Sequence, residues 1–278
     1  MITIQKSQLS VMNIQYRYFS LDKFLDDAVD NEVSNIELWG AMPFFNIEDM
    51  TYQEVKEVRH QIESRGLKLV CLTPEQCVYP VNLAAPSEAA RRRSLKFFED
   101  NIRAASELGT DKMLVTTGYG FFDESNHEEA WKWARDGIYD LAELAKIHGI
   151  TLALEVLRRD ESNLVYNLPT LTQMLAELKH DSVGGMIDTI PMALAGERPA
   201  DYLQALGEQL VHVHFIDGAP RGHLAWGDGI LDMEGYLEEF SRYHYKGYLS
   251  LEITDGRYYM DPTQSVQQSV NALYKVLK

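Results

Sequence analysis

At 278 residues with 45% hydrophobic content, the chain can bury a large core within one domain over residues 1–278, a length that barrels and large sandwiches routinely use. A formal net charge of −16, from 26 Lys+Arg against 42 Asp+Glu, argues against a nucleic-acid partner, because such binding rests chiefly on cationic neutralisation of phosphates. Cys71 and Cys77 form no CxxC pattern and cannot supply a disulfide framework for this length, so reduced thiols are expected. The first residues show no basic start followed by an apolar run, and no later segment has the uncharged length of a membrane span. A cytoplasmic protein without a membrane partner is the expectation.

In chain order, short apolar runs alternate with segments of helical spacing. Strands are expected at 9–14 and 35–39, then a helix at 51–65 and a strand at 67–72. A helix at 88–108 leads to a strand at 112–117, and one at 127–148 to a strand at 150–156. Further on come a helix at 168–179, strands at 183–188 and 210–216, a helix at 232–243, a strand at 247–253 and a closing helix at 263–277. Gly66, Gly109, Gly149 and Gly247 stand where a left-handed helix stop is wanted. Pro169, Pro199 and Pro262 sit near helix starts, where the missing N–H costs little. Eight strand units, with no glycine-rich fingerprint after the first strand, favour an α/β fold closed into a (β/α)8 TIM barrel over an open doubly wound sheet.

Catalytic groups in such barrels stand at the C-terminal ends of strands. Four consecutive strands end in ionisable residues: Glu155, Asp188, His214 and Glu252, separated by 33, 26 and 38 residues, each about one strand-helix unit. Alternation places Leu152, Leu154 and Val156 opposite Glu155, and Leu249, Leu251 and Ile253 opposite Glu252. The same parity turns Asp188 and His214 inward and Val211, Val213 and Phe215 outward. Singly, an inward Glu is as often a salt-bridge partner, and a lone His more often a core residue than a ligand. Three carboxylates and an imidazole at one depth would repel one another without a cation among them. This oxygen-rich set suits one divalent metal: manganese, magnesium or cobalt, with zinc possible. His212 shares the parity of His214 one layer deeper, which suits a supporting role. The aromatics Trp39, Phe44, Phe45, Tyr79, Tyr119, Phe121, Phe122 and Trp226 fall in or near loops after strands, where rings suit the C–H faces of a ligand or a subunit contact, although each by itself is more often packing.

With Glu155, Asp188, His214 and Glu252 in place, and Glu-Val-Leu-Arg-Arg-Asp-Glu-Ser-Asn at 155–163, the chain resembles the sugar isomerase/epimerase superfamily of xylose isomerase-like barrels. Within it the chain is similar to the ketose 3-epimerases, and most to the fructoselysine 3-epimerase branch. Ile36-Glu37-Leu38-Trp39-Gly40, Thr73-Pro74-Glu75 with Tyr79-Pro80, Glu161-Ser162-Asn163, His214-Phe215-Ile216-Asp217 and the turn from His223 to Gly229 carry that likeness. The resemblance implies a metal on the four residues, Glu155 and Glu252 as the proton-transfer pair, and substrate contacts from Glu161, His223 and Arg221, with Trp39 at the mouth. It also implies a small-molecule sugar substrate and a homo-oligomer. Pro191 stands where many free-ketose 3-epimerases carry a histidine, so their substrate contacts do not transfer wholesale. An aldose-ketose isomerase or an inosose dehydratase-like lyase would use the same metal site. An AP endonuclease-like repair enzyme would need further histidines, and the first four strand ends offer none.

Overall fold

In the computed structural model, which describes residues 1–76 and 81–278, eight parallel strands close in sequential order into a barrel. The order is β1 (Leu9–Met12), α1 (Leu21–Asp30), β2 (Asn35–Gly40), α2 (Tyr52–Ser64), β3 (Lys68–Pro74), α3 (Glu88–Leu108), β4 (Lys112–Val115), α4 (His127–His148), β5 (Thr151–Glu155), α5 (Leu168–Leu178), β6 (Val183–Asp188), α6 (Thr189–Leu194), α7 (Pro199–Leu206), β7 (Leu210–His214), α8 (Met233–Arg242), β8 (Leu249–Leu251) and α9 (Pro262–Tyr274). The eight expected strands are all present. Some end early because side chains take over the backbone bonds: Trp39 N–H donates to Asn13 Oδ1 at 2.6 Å, and Thr116 N–H to Gln76 Oε1 at 2.6 Å. Among the described residues no helix is long and apolar enough to cross a membrane.

Three helices lie outside the expected set. Helix α1 carries four Asp in ten residues, but it is strongly amphipathic: Ser20 caps it, and Phe24, Leu25 and Ala28 form a buried apolar face. Helix α6, capped by Asp188, is too short to show a helical period, whereas α7 starts at Pro199 and buries Pro199, Tyr202, Leu203 and Leu206 at helical spacing. Gly66, Gly109 and Gly149 adopt positive φ as expected. Gly247 does not: α8 ends at Arg242, and His244 takes the left-handed turn instead. A Cβ on Gly247 would stand 2.2 Å from the Tyr245 hydroxyl, so close approach is what requires glycine there.

The outer faces of the strands, among them Leu152, Leu154, Val213, Leu249 and Leu251, join the helices in the main core. Inside the barrel, Cys71, Leu114, Ala153 and Met186 form a small apolar plug. Cys77, Tyr79 and Pro80 lie outside the described residues. One parity expectation fails: the β6–β7 register shifts between Gly185 and Met186, Leu210 joins the outer core, and Val211 packs on the interior plug. Gly184 makes room for this bulge, since a Cβ there would lie 2.4 Å from Val211 Cγ1. Beyond the bulge Asp188 pairs in register with His214, and His214 with Ser250, which aligns the strand ends.

Candidate active site

Glu155, Asp188 and His214 are the last residues of β5, β6 and β7, and Glu252 directly follows β8. The barrel brings all four together: one potential ligand atom from each lies within 4.8 Å of the others. Nδ1 of His214 is 3.2 Å from Glu155 Oε1 and 3.0 Å from Glu252 Oε2. Asp188 does double duty, since its Oδ1 accepts the Ile190 N–H at 2.8 Å and caps α6.

A second buried trio lies below. Glu37 on β2 turns its carboxylate to both β7 histidines, with Oε2 at 2.7 Å from His212 Nε2 and Oε1 at 3.0 Å from His214 Nε2. Thr73 Oγ1 also donates to Glu37. Burial opposes ionisation of Glu37, but the two imidazoles, His212 foremost, outweigh it and hold the carboxyl well below its ordinary range. Burial pushes His212 down, which keeps that ring neutral. Both histidines therefore present Nε2–H to Glu37.

That arrangement tests whether the upper four residues suit a cation. His214 donates its Nε2–H to Glu37 and so directs its buried Nδ1 at two carboxylates, where a proton in the metal-free protein or a cation must sit. Lone pairs of nitrogen and oxygen converging this closely repel unless positive charge sits among them. The titration behaviour of the metal-free protein reflects the same demand. Burial lowers the His214 pKa, but the charges of Glu252 and Glu37 raise it well above the ordinary range. Burial, reinforced by the neighbouring Glu252 and Asp188, raises Glu155 to about 8. Burial likewise works against Asp188, yet the charge of His223 draws it down. The donor set fits a divalent ion bound through oxygens and one imidazole.

His223 comes from the loop after β7, with Nε2 2.8 Å from Asp188 Oδ2 and 3.4 Å from Glu252 Oε2. Burial lowers its pKa, but Asp188 outweighs this and lifts it to about 9. The loop is braced on both sides. Asp217 accepts N–H groups from Gly218, Gly227, Gly229 and Leu231, and the His223 carbonyl accepts from Thr254 and Asp255.

These groups open into a cavity of about 270 Å³, near the lower end of ligand clefts, which run to roughly 300–1,000 Å³ for drug-sized molecules. Glu155, Asp188, Glu252, His223, Glu161 and Trp39 all line it. Glu161 is steadied by the Arg158 guanidinium at 2.6 Å, and Trp39 Nε1 donates to Glu75 Oε2 at 3.0 Å. Arg221 is not among the lining residues: its side chain is 62% exposed and pairs with Asp160 at 2.9 Å. The expectation that it meets substrate finds no support in this geometry, because the tight Ala219–Arg221 turn carries it out to solvent. Phe45 and Trp226 are core residues, the latter tied to the Phe215 carbonyl. Tyr119, Phe121 and Phe122 are exposed and do not line the cavity.

The sequence reading passed over Glu37 and Arg17. Glu37 stands between Ile36 and Leu38, and strand alternation turns it inward. Arg17 gave no periodic signal, since it follows a short 3-10 turn after β1.

Comparison with known proteins agrees with this geometry. The chain is 26% identical to fructoselysine 3-epimerase of Shigella flexneri over 254 residues, covering 90% of this chain and 91% of the relative. The structure of a 3-keto-D-glucoside 4-epimerase from E. coli superposes with a TM-score of 0.82 at 20% identity, over 96% of this chain and 99% of that one. A D-psicose 3-epimerase from Clostridium cellulolyticum H10, solved with D-tagatose, gives 0.82 at 14% identity over 98% and 99%. Residues 25–276 match the family model described as xylose isomerase-like TIM barrel. The closed eight-stranded barrel and this match over most of the chain place the protein in the xylose isomerase-like TIM barrel family.

Proposed function

We propose that the protein is a divalent-metal-dependent sugar epimerase that inverts C3 of a ketose or of a fructosamine such as fructoselysine. The observation that carries this reading is the convergence of Glu155 and Glu252, from β5 and β8, on one side of the His214 ring at 3.2 and 3.0 Å. The likeness to named sugar epimerases supports the choice of substrate class.

Carbon acids next to a ketone ionise slowly because the developing oxyanion needs stabilisation. Glu155, Asp188, His214 and Glu252 would hold the cation, which when bound supplies Lewis-acid stabilisation of that oxyanion. Glu155 or Glu252 takes the C3 proton from one face of the ketose, the C–H electron pair passing into a planar enediolate, and the other carboxyl returns a proton to C3 from the opposite face. The C3–H bond is broken and remade, and no other atom leaves. Glu161 and His223 orient the substrate's hydroxyls, and Trp39 packs on its C–H face.

Incubation of the manganese-loaded protein with D-fructose or fructoselysine in deuterated water, followed by NMR, tests the reading. Deuterium at C3 of both epimers without loss of water is expected. Exchange at C1 or C2 would make the protein an aldose-ketose isomerase, and an unsaturated product would make it a lyase; either result would overturn the epimerase assignment.

A further inference from the structure

Among the described residues most arginines pair with a carboxylate or a carbonyl; Arg17 does not. Among the described residues it makes no ion pair, and its Nε is buried without a hydrogen-bond partner. Its position is nonetheless fixed. The guanidinium carbon sits 4.6 Å from the ring centre of Tyr259 and 5.4 Å from that of Trp39. Stacking of this kind uses the faces of the guanidinium and leaves its N–H edge free to donate.

Arg17, Trp39 and Tyr259 line the same cavity as Glu155, Asp188 and Glu252. Of the described residues lining that cavity, Arg17 is the one lysine or arginine. In a chain with 42 Asp+Glu against 26 Lys+Arg, a guanidinium held against two rings and left without an ion pair is a selective arrangement. A desolvated N–H without an acceptor is costly. The two terminal guanidinium nitrogens are not among the buried, unpartnered atoms, and an anion with two oxygens could take paired, charge-assisted hydrogen bonds from them.

We propose that Arg17 forms a subsite for an anionic substituent of the substrate, a carboxylate or a phosphate monoester, carried on the part of the sugar remote from the exchanging carbon. The proposal rests on the epimerase reading for the identity of the exchanging carbon, but not for the binding itself. Trp39 and Tyr259 act as positioning residues that hold the guanidinium edge toward the cavity. The subsite would admit sugars that the acidic cluster alone would repel.

The test compares four probes by calorimetric binding and by C3 exchange, in the manganese-loaded wild type and in Arg17→Gln and Arg17→Lys. The probes are D-fructose, D-fructose 6-phosphate, fructoselysine and the fructose adduct of cadaverine, which keeps the terminal amine and lacks the carboxylate. Melting curves and manganese affinity of the variants check the fold. The wild type should bind one anionic probe about 30-fold more tightly than its neutral or carboxylate-free counterpart. In Arg17→Gln that preference should fall below about 3-fold, with Arg17→Lys between the two. Preference for fructose 6-phosphate identifies a phosphate site; preference for fructoselysine over the cadaverine adduct identifies a carboxylate site. No anionic preference in the wild type, or a preference that survives in Arg17→Gln, would overturn the proposal. If the preference behaves as expected while no probe exchanges at C3, the subsite stands and the epimerase reading falls.

Discussion

Oε1 of Glu37 lies 3.0 Å from Nε2 of His214, and this contact decides which nitrogen of the ring faces the cavity. Because Glu37 accepts the Nε2–H, Nδ1 is the nitrogen that faces Glu155 and Glu252, free to ligate once its own proton is lost. A Glu37→Gln side chain has one acceptor oxygen for two histidine donors, and its amide would oppose the other N–H. We expect divalent-metal affinity to fall about 10–100-fold, measured by titration calorimetry with manganese. The barrel should persist by circular dichroism. Unchanged affinity would remove Glu37 from the support of the site.

Metal binding should release protons. Burial raises Glu155 to about 8, so at pH 7 its carboxyl is largely protonated in the metal-free protein. His214 is held well above its ordinary range and also carries a proton there. Ligation requires both in their deprotonated forms, so apparent affinity should rise with pH through 7 and gain little from Glu155 once above about 8. Calorimetry at pH 7 in two buffers of different ionisation enthalpy would show release of at least one proton, and equal heats in both buffers would count against it.

A Glu252→Gln change keeps the shape of the side chain but removes its capacity to accept a proton. If Glu252 is half of the exchange pair, kcat should fall about 10²–10⁴-fold. KM should change far less, since shape is preserved. Retention of near wild-type C3 exchange would exclude Glu252 from proton transfer.

Gly184→Ala probes the bulge that aligns the site from a distance. Its Cβ would lie 2.4 Å from Val211 Cγ1 and 2.7 Å from the Gln209 carbonyl. Overpacking of this kind costs about 1–3 kcal/mol, visible as a lower melting temperature. Val211→Ala should rescue only part of the loss, because the carbonyl remains in the way. Full rescue would show that the backbone yields there.

Much of this site was written in alternation. Leu152, Leu154, Leu249 and Leu251 set the outer faces of β5 and β8, and Glu155 and Glu252 then had to point inward, where they are found. His212 was legible as a deeper residue by the same count. Val211 was misread, because a strand period holds only while the register does, and a bulge inserts a residue that no local pattern announces. Arg221 was placed by likeness of a loop, and a turn of a few residues carried it to the surface.

By itself, the sequence determined the number and order of the strands and the four ionisable strand ends, since these follow from short-range periodicity and from what each strand must bury. Only the closed barrel decided that Glu37 of β2 meets the histidines of β7, and that Arg17 stands between Trp39 and Tyr259. Those partners are far apart along the chain, and hydrogen bonds and ring contacts form between surfaces that exist only after the strands have paired.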